Sequence, residues 1–80
     1  MHNMDRETIV GVLAEALEVD ADHLQDGTVL QDIESYDSAA LLAIIAALDM
    51  RLGLRVDPDR LVGCTSVADM IRLVQESAAQ

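Results

Sequence analysis

The chain has 80 residues, 51% of them hydrophobic, yet it holds one tyrosine and no tryptophan or phenylalanine. That length allows one small domain with an aliphatic core and leaves little room for an enclosed active site. The net charge of −10, from 15 acids and 5 bases that are all arginine, speaks against nucleic acid or an anionic membrane as partner, because both repel such a surface.

Aliphatic residues and alanine suit packed helices better than a sheet. The first helix is expected over about 5–18, with Asp5 as N-cap, Glu7 in the first turn, and Ile9, Leu13, Ala16 and Leu17 forming one buried face. A long connection follows over 19–36. Gly27 marks a turn within it, Ala21 to Leu24 suit a short helical turn, and Leu24, Val29, Leu30 and Ile33 are placed to pin it over the core.

The second helix is expected over about 37–52. Asp37 is its N-cap, Ser38 its first helical residue, and Tyr36 with Leu41 supplies the pair of a hydrophobic staple. Leu41, Ile44, Ile45, Leu48 and Leu52 suffice for its buried face, and Gly53 stops it. Asp57-Pro58 opens a short third helix over 58–62, which Gly63 breaks. The fourth helix, over 66–77, is capped by Thr65 or Ser66 and repeats Val67, Met70, Ile71 and Val74 on one face; Ser77 to Gln80 are expected to fray. Together these elements predict an all-α, four-helix bundle forming a single domain over 1–80.

The charge is uneven. Residues 1–37 hold ten acids and one arginine, giving −9, whereas residues 38–80 hold five acids and four arginines, giving −1. The boundary falls at Asp37-Ser38. A serine on the first turn of a helix is exposed, and a phosphate attached to it faces unpaired backbone N–H groups. Ser38 is therefore the leading candidate for the functional residue, against the plainer reading that Asp37-Ser38 merely starts a helix.

The whole layout resembles the acyl carrier protein family. The resemblance rests on a first helix, a long loop, Asp37-Ser38 opening the second helix, and a short helix after Asp57-Pro58. It also rests on Thr65-Ser66-Val67 before the fourth helix, with Leu48, Leu52, Val56 and Val67 at the family's core positions. It implies that Ser38 carries a phosphopantetheine arm whose thiol holds an acyl group as a thioester, and that Asp37 is the acid of the Asp-Ser-Leu motif. It implies no catalytic residue and no metal. The expected partners are a phosphopantetheinyl transferase and enzymes of acyl-loading, ketosynthase or acyltransferase type, in fatty acid, polyketide or related biosynthesis.

Three departures mark a specialised carrier. Ala39 stands where the motif has leucine. Ala43, Ala46 and Met50 stand where acids usually stud the second helix, leaving Asp49. Tyr36 replaces the glycine-containing approach seen in many members, including peptidyl carriers. Ala39, Leu42, Ala43, Ala46 and Met50 then form an outward apolar face for partner recognition, with Glu34, Asp32 and Asp37 supplying charge from upstream; exposed alanines are equally explained by helix propensity. An aminoacyl or peptidyl carrier and an unmodified helical interaction module are the alternatives.

Other residues carry plainer readings. Asp20, Asp22 and Asp26 with Gly27 only faintly resemble a calcium loop, since Leu24 stands where an oxygen ligand is needed. Cys64 has no partner for a disulfide and reads as a small buried hydrophobe. His2 and His23 form no ligand set or triad. Arg51, Arg55, Arg60 and Arg72 read as a solvated surface, with the acids of the long loop as candidate partners for Arg51 and Arg55. The N-terminus lacks a signal peptide's basic and apolar regions, so a cytoplasmic monomer is expected.

Overall fold

The computed structural model describes residues 5–78. Its architecture is all-α: helices α1 (Arg6–Leu17), α2 (Ser38–Leu52), α3 (Pro58–Val62) and α4 (Val67–Ala78), with 3-10 turns at Ala21–His23 and Leu30–Asp32 between α1 and α2. The sequence expectations for His2, Ala79 and Gln80 lie outside the described residues. Ser77 and Ala78, expected to fray, continue α4 as half-buried residues, and the Ser77 hydroxyl donates to the Leu73 carbonyl at 3.0 Å.

Helix α1 buries Ile9, Leu13 and Leu17 as its spacing predicts, and also Val10, Val12 and Ala14, so it is apolar over a wider arc than one stripe. Ala16 is half-buried. Asp5 occupies the N-cap position in extended backbone, but its side chain makes no capping hydrogen bond. At the other end Glu18 adopts the left-handed region at φ 59°, where its N–H bonds the Ala14 and Glu15 carbonyls. A non-glycine residue there is uncommon, and the closed carbonyls offset its cost.

The long loop is bound to the start of α4. Leu24 and Leu30 are buried beneath it and Ile33 is half-buried. Val29 departs from expectation: it is 44% exposed, because its backbone pairs with Ser66 in an isolated antiparallel bridge. Flanking bonds run from Leu30 N–H to the Thr65 carbonyl at 2.9 Å and from Val67 N–H to the Thr28 carbonyl at 3.0 Å. Successive residues of extended backbone face opposite ways, so Leu30 turns inward and Val29 outward.

Helix α2 is more apolar than its burial requires. Ile44 and Leu48 are completely buried, as is nearly all of Ala40; Leu41, Ile45 and Leu52 are only half-buried. Gly53, at φ 65°, ends the helix in the left-handed region, with its N–H on the Asp49 and Leu48 carbonyls. In α3, the Asp57 carboxylate accepts from Asp59 N–H at 2.9 Å ahead of Pro58. A capping box starts α4: the Ser66 hydroxyl accepts from Asp69 N–H at 3.2 Å, while the Asp69 carboxylate accepts from the backbone N–H groups of Thr65 and Ser66 and from the Thr65 hydroxyl. Val67, Met70, Ile71, Leu73 and Val74 then complete the core.

Arg51 pairs with Glu15 of α1 and not with the loop acids. The loop acid Asp26 is taken instead by Arg6, from Nε at 2.8 Å, and Arg60 pairs with Glu76 at 2.7 Å. All three pairs are about half exposed, so each contributes little to stability.

Candidate functional site at the start of α2

Asp37 holds the first turn of α2. Its Oδ1 accepts from Ala40 N–H at 2.8 Å, and its carbonyl receives Leu41 N–H at 3.0 Å. Ser38 follows as the first helical residue and is exposed. Among the described residues its hydroxyl has no partner, and the N–H groups of Ser38 and Ala39 are likewise unpaired. An accessible hydroxyl thus stands beside two unpaired donors at the positive end of a 15-residue helix.

Tyr36 fixes the approach to this turn. It is half-buried, and its phenol is pushed above its ordinary range, chiefly by burial and secondarily by Cys64 nearby. Cys64 is half-buried too, with its thiol donating to the Arg60 carbonyl at 3.6 Å. Burial raises that thiol, Asp69 adds to the rise and Arg60 opposes it, so the group stays protonated and behaves as packing rather than as a nucleophile. Tyr36 and Cys64 both pack on the core, and the loop that leads to Ser38 is tied to the turn between α3 and α4 by Leu30 N–H donating to the Thr65 carbonyl.

The residues singled out for recognition share the outer side of α2. Leu42 is 67% exposed and Met50 85%, with Ala39, Ala43 and Ala46 exposed along the same side. Asp32, Glu34 and Asp37, also exposed, cluster along the chain just before and at its first turn. Val62 of α3, 64% exposed, is a further outward apolar side chain that helical spacing does not single out, because a five-residue helix has too few positions to define a face.

A second feature was not legible in the sequence. Where the end of α1 meets the start of α2, an open groove of about 420 Å3 is bounded by Ala16 and Leu17 on one side and Ala39, Ala40 and Ala43 on the other. Glu18, Ser35 and Asp37 form its polar rim. The alanine methyls leave the space, and only the pairing of the two helices shows that they face each other. The acids read as a faint calcium loop form no such site: Asp26 is engaged by Arg6, and among the described residues no group of three or more histidines, cysteines or carboxylates is placed to hold a metal.

Comparison with known proteins bears on the family and the fold. Residues 7–74 match a family model described as "Phosphopantetheine attachment site". A curated acyl carrier protein of Saccharopolyspora erythraea is 31% identical, over 96% of this chain and 85% of its own length. The solution structure of the holo acyl carrier protein of Geobacter metallireducens shares the fold at a TM-score of 0.77, covering 91% of this chain and 84% of that one at 20% identity. The chain belongs to the acyl carrier protein family, whose members hold phosphopantetheine covalently and carry an acyl group on it.

Proposed function

We propose that Ser38 is the residue that bears the phosphopantetheine arm, that Asp37 is the motif acid which fixes Ser38 on the first turn, and that the chain is itself no enzyme. The observation that carries this reading is the exposed Ser38 hydroxyl, which has no partner among the described residues, beside the N–H groups of Ser38 and Ala39, unpaired in the same sense. These residues fit the group: the hydroxyl is open to a transferase, and the two donors face the place a phosphodiester occupies, which helix polarity favours by about 0.3–1 kcal/mol. Ser38 Oγ forms that ester with the phosphate of coenzyme A, displacing the adenosine bisphosphate portion. The bound arm supplies the terminal thiol on which an acyl group is held as a thioester. The chain's own part is to present that thiol, remain in solution and be recognised.

Recognition is where this carrier departs from the family pattern. The outer side of α2 offers Leu42 and Met50 with the methyls of Ala39, Ala43 and Ala46, while Glu34, Asp32 and Asp37 supply charge at its upstream end. A partner enzyme then reads α2 by apolar contact and its start by charge. The expected partners are a phosphopantetheinyl transferase and acyl-loading, ketosynthase or acyltransferase-type enzymes, met by a cytoplasmic monomer. Among the described residues no helix is long and apolar enough to cross a membrane.

Incubation with coenzyme A and a broad-specificity phosphopantetheinyl transferase, followed by intact mass measurement, tests attachment. The native chain is expected to gain the mass of the arm and Ser38→Ala to gain none; an equal gain in the variant overturns the assignment. Offering the loaded protein to acyl and aminoacyl donors then separates an acyl carrier from an aminoacyl or peptidyl carrier. Acylation is expected, and exclusive aminoacylation contradicts the reading.

A further inference from the structure

We propose that Asp26-Gly27 is a site of spontaneous isoaspartate formation, restrained by Arg6, at which an ageing chain loses the tie between its long loop and α4. Among the aspartates, Asp26 alone is followed by glycine, which has no side chain to hinder reaction at its nitrogen. Both residues are exposed and occupy the centre of a turn that Gln25 and Thr28 close. Thr28 N–H donates to the Gln25 carbonyl and Gln25 N–H to Thr28 Oγ1, each at 3.0 Å. Among the described residues the Gly27 N–H has no partner, and the space beside its Cα is open. The restraint lies at Asp26. Arg6 Nε donates to its Oδ1 at 2.8 Å, and its carbonyl accepts from Ala68 N–H at 3.1 Å. Both the carboxyl group and the peptide plane that bears the Gly27 nitrogen are thus held from outside the turn.

The reaction needs no co-reactant but water. The Gly27 nitrogen attacks Asp26 Cγ and an N–Cγ bond forms. The nitrogen gives up its proton and the carboxyl its hydroxyl, together one water, leaving a cyclic succinimide. Water then adds at either imide carbonyl. Breaking the N–Cγ bond restores aspartate; breaking the bond from nitrogen to the main-chain carbonyl carbon gives isoaspartate of unchanged mass. In that product the group gripped by Arg6 has become a peptide carbonyl, and the carbonyl that accepts from Ala68 N–H has become a carboxylate. The main chain is also one carbon longer just ahead of Thr28, whose carbonyl accepts from Val67 N–H at 3.0 Å. Val67 and Ala68 open α4, so their N–H groups have no acceptor within the helix and depend on the loop. Asp37-Ser38 is the internal contrast: its second residue is also small, but the Asp37 carboxylate is bound by Ala40 N–H at 2.8 Å and Ser38 is already helical.

The test incubates the full, folded chain in neutral buffer at body temperature. Isoaspartate is read by methyl transfer from S-adenosylmethionine with an isoaspartyl methyltransferase, and its position by fragmentation of the proteolytic peptide. Methyl acceptance is expected to rise with time at residue 26 and to exceed that at Asp37. It is expected to fall severalfold in Gly27→Ala, which the open space and ordinary φ of Gly27 accommodate, and to rise severalfold faster in Arg6→Ala. Arg51→Ala, which removes a comparable half-exposed ion pair elsewhere on α1, is expected to match the native chain. In the separated isoaspartyl form, amide protection at Val67 and Ala68 is expected to drop. No isoaspartate at residue 26, or as much in Gly27→Ala, overturns the site. Equal rates in Arg6→Ala and the native chain, or in Arg6→Ala and Arg51→Ala, overturn the restraint by Arg6, and unchanged protection at Val67 and Ala68 overturns the loss of the tie.

Discussion

Replacing Asp37 with alanine tests how the site is built. The substitution removes the carboxylate that accepts Ala40 N–H at 2.8 Å, and Ala40 is only 8% exposed, so water poorly replaces the lost acceptor. Loss of an N-cap of this kind costs about 1 kcal/mol, within a range of about 0.5–2. For a domain of this size that lowers the melting temperature by about 4–8 °C. Asp5 provides the internal comparison. It sits at the N-cap of α1 in extended backbone but makes no capping hydrogen bond, so Asp5→Ala is expected to shift stability by less than about 0.5 kcal/mol. Thermal unfolding followed by circular dichroism measures both, and amide exchange at Ala40 locates the effect: its protection falls in Asp37→Ala and is retained in Asp37→Asn, which keeps an acceptor. Equal shifts for Asp37→Ala and Asp5→Ala, or unchanged Ala40 protection, refute the claim that the Asp37 side chain fixes the turn that presents Ser38.

Leu48→Ala, at a completely buried position of α2, is expected to cost about 2–5 kcal/mol in urea unfolding, a large share of the stability of so small a domain; a cost below about 1 kcal/mol contradicts the assigned core. The Asp69 carboxyl is held below its ordinary range, first by the backbone and side-chain hydrogen bonds from Thr65 and then by those from Ser66. A lowered folded-state value gives stability that is present above the unfolded carboxyl range and lost as pH falls through the folded one. Asp69→Asn should therefore unfold at lower urea concentration at neutral pH and converge with the native chain in strong acid; a constant gap across that window contradicts the capping role. Leu42→Glu, at a 67% exposed position, should leave stability unchanged and weaken binding to a partner enzyme at every salt concentration, and undiminished binding removes the apolar docking face.

The features legible in the sequence were those written in local chemistry. Asp37, Gly53 and Asp57-Pro58 mark helix ends because a cap, a left-handed stop and a first-turn proline depend on neighbouring backbone alone. Leu24 and Leu30 read correctly as loop residues over the core, whereas Val29 did not, since its direction is set by pairing with Ser66, far away in sequence. The same limit explains Arg51: its partner Glu15 lies on another helix, so spacing gives no sign of it. Alanine was the least legible residue. Ala40 is buried, Ala43 is exposed and Ala16 lies between, yet the three look alike in sequence and meet only where α1 packs on α2. Ser38 stood out as a reachable hydroxyl on a helix start, but the layout of the whole chain gave it its meaning.

The central claim is that the arm is carried by Ser38 and by no other hydroxyl. The nearest other serine in sequence is Ser35, also exposed but with its proton committed to the Leu17 carbonyl at 2.7 Å. Proteolysis of the coenzyme A-modified chain and fragmentation of the peptide spanning both serines measures this directly. The added mass is expected on Ser38, and its appearance on Ser35 or on a peptide lacking Ser38 contradicts the assignment.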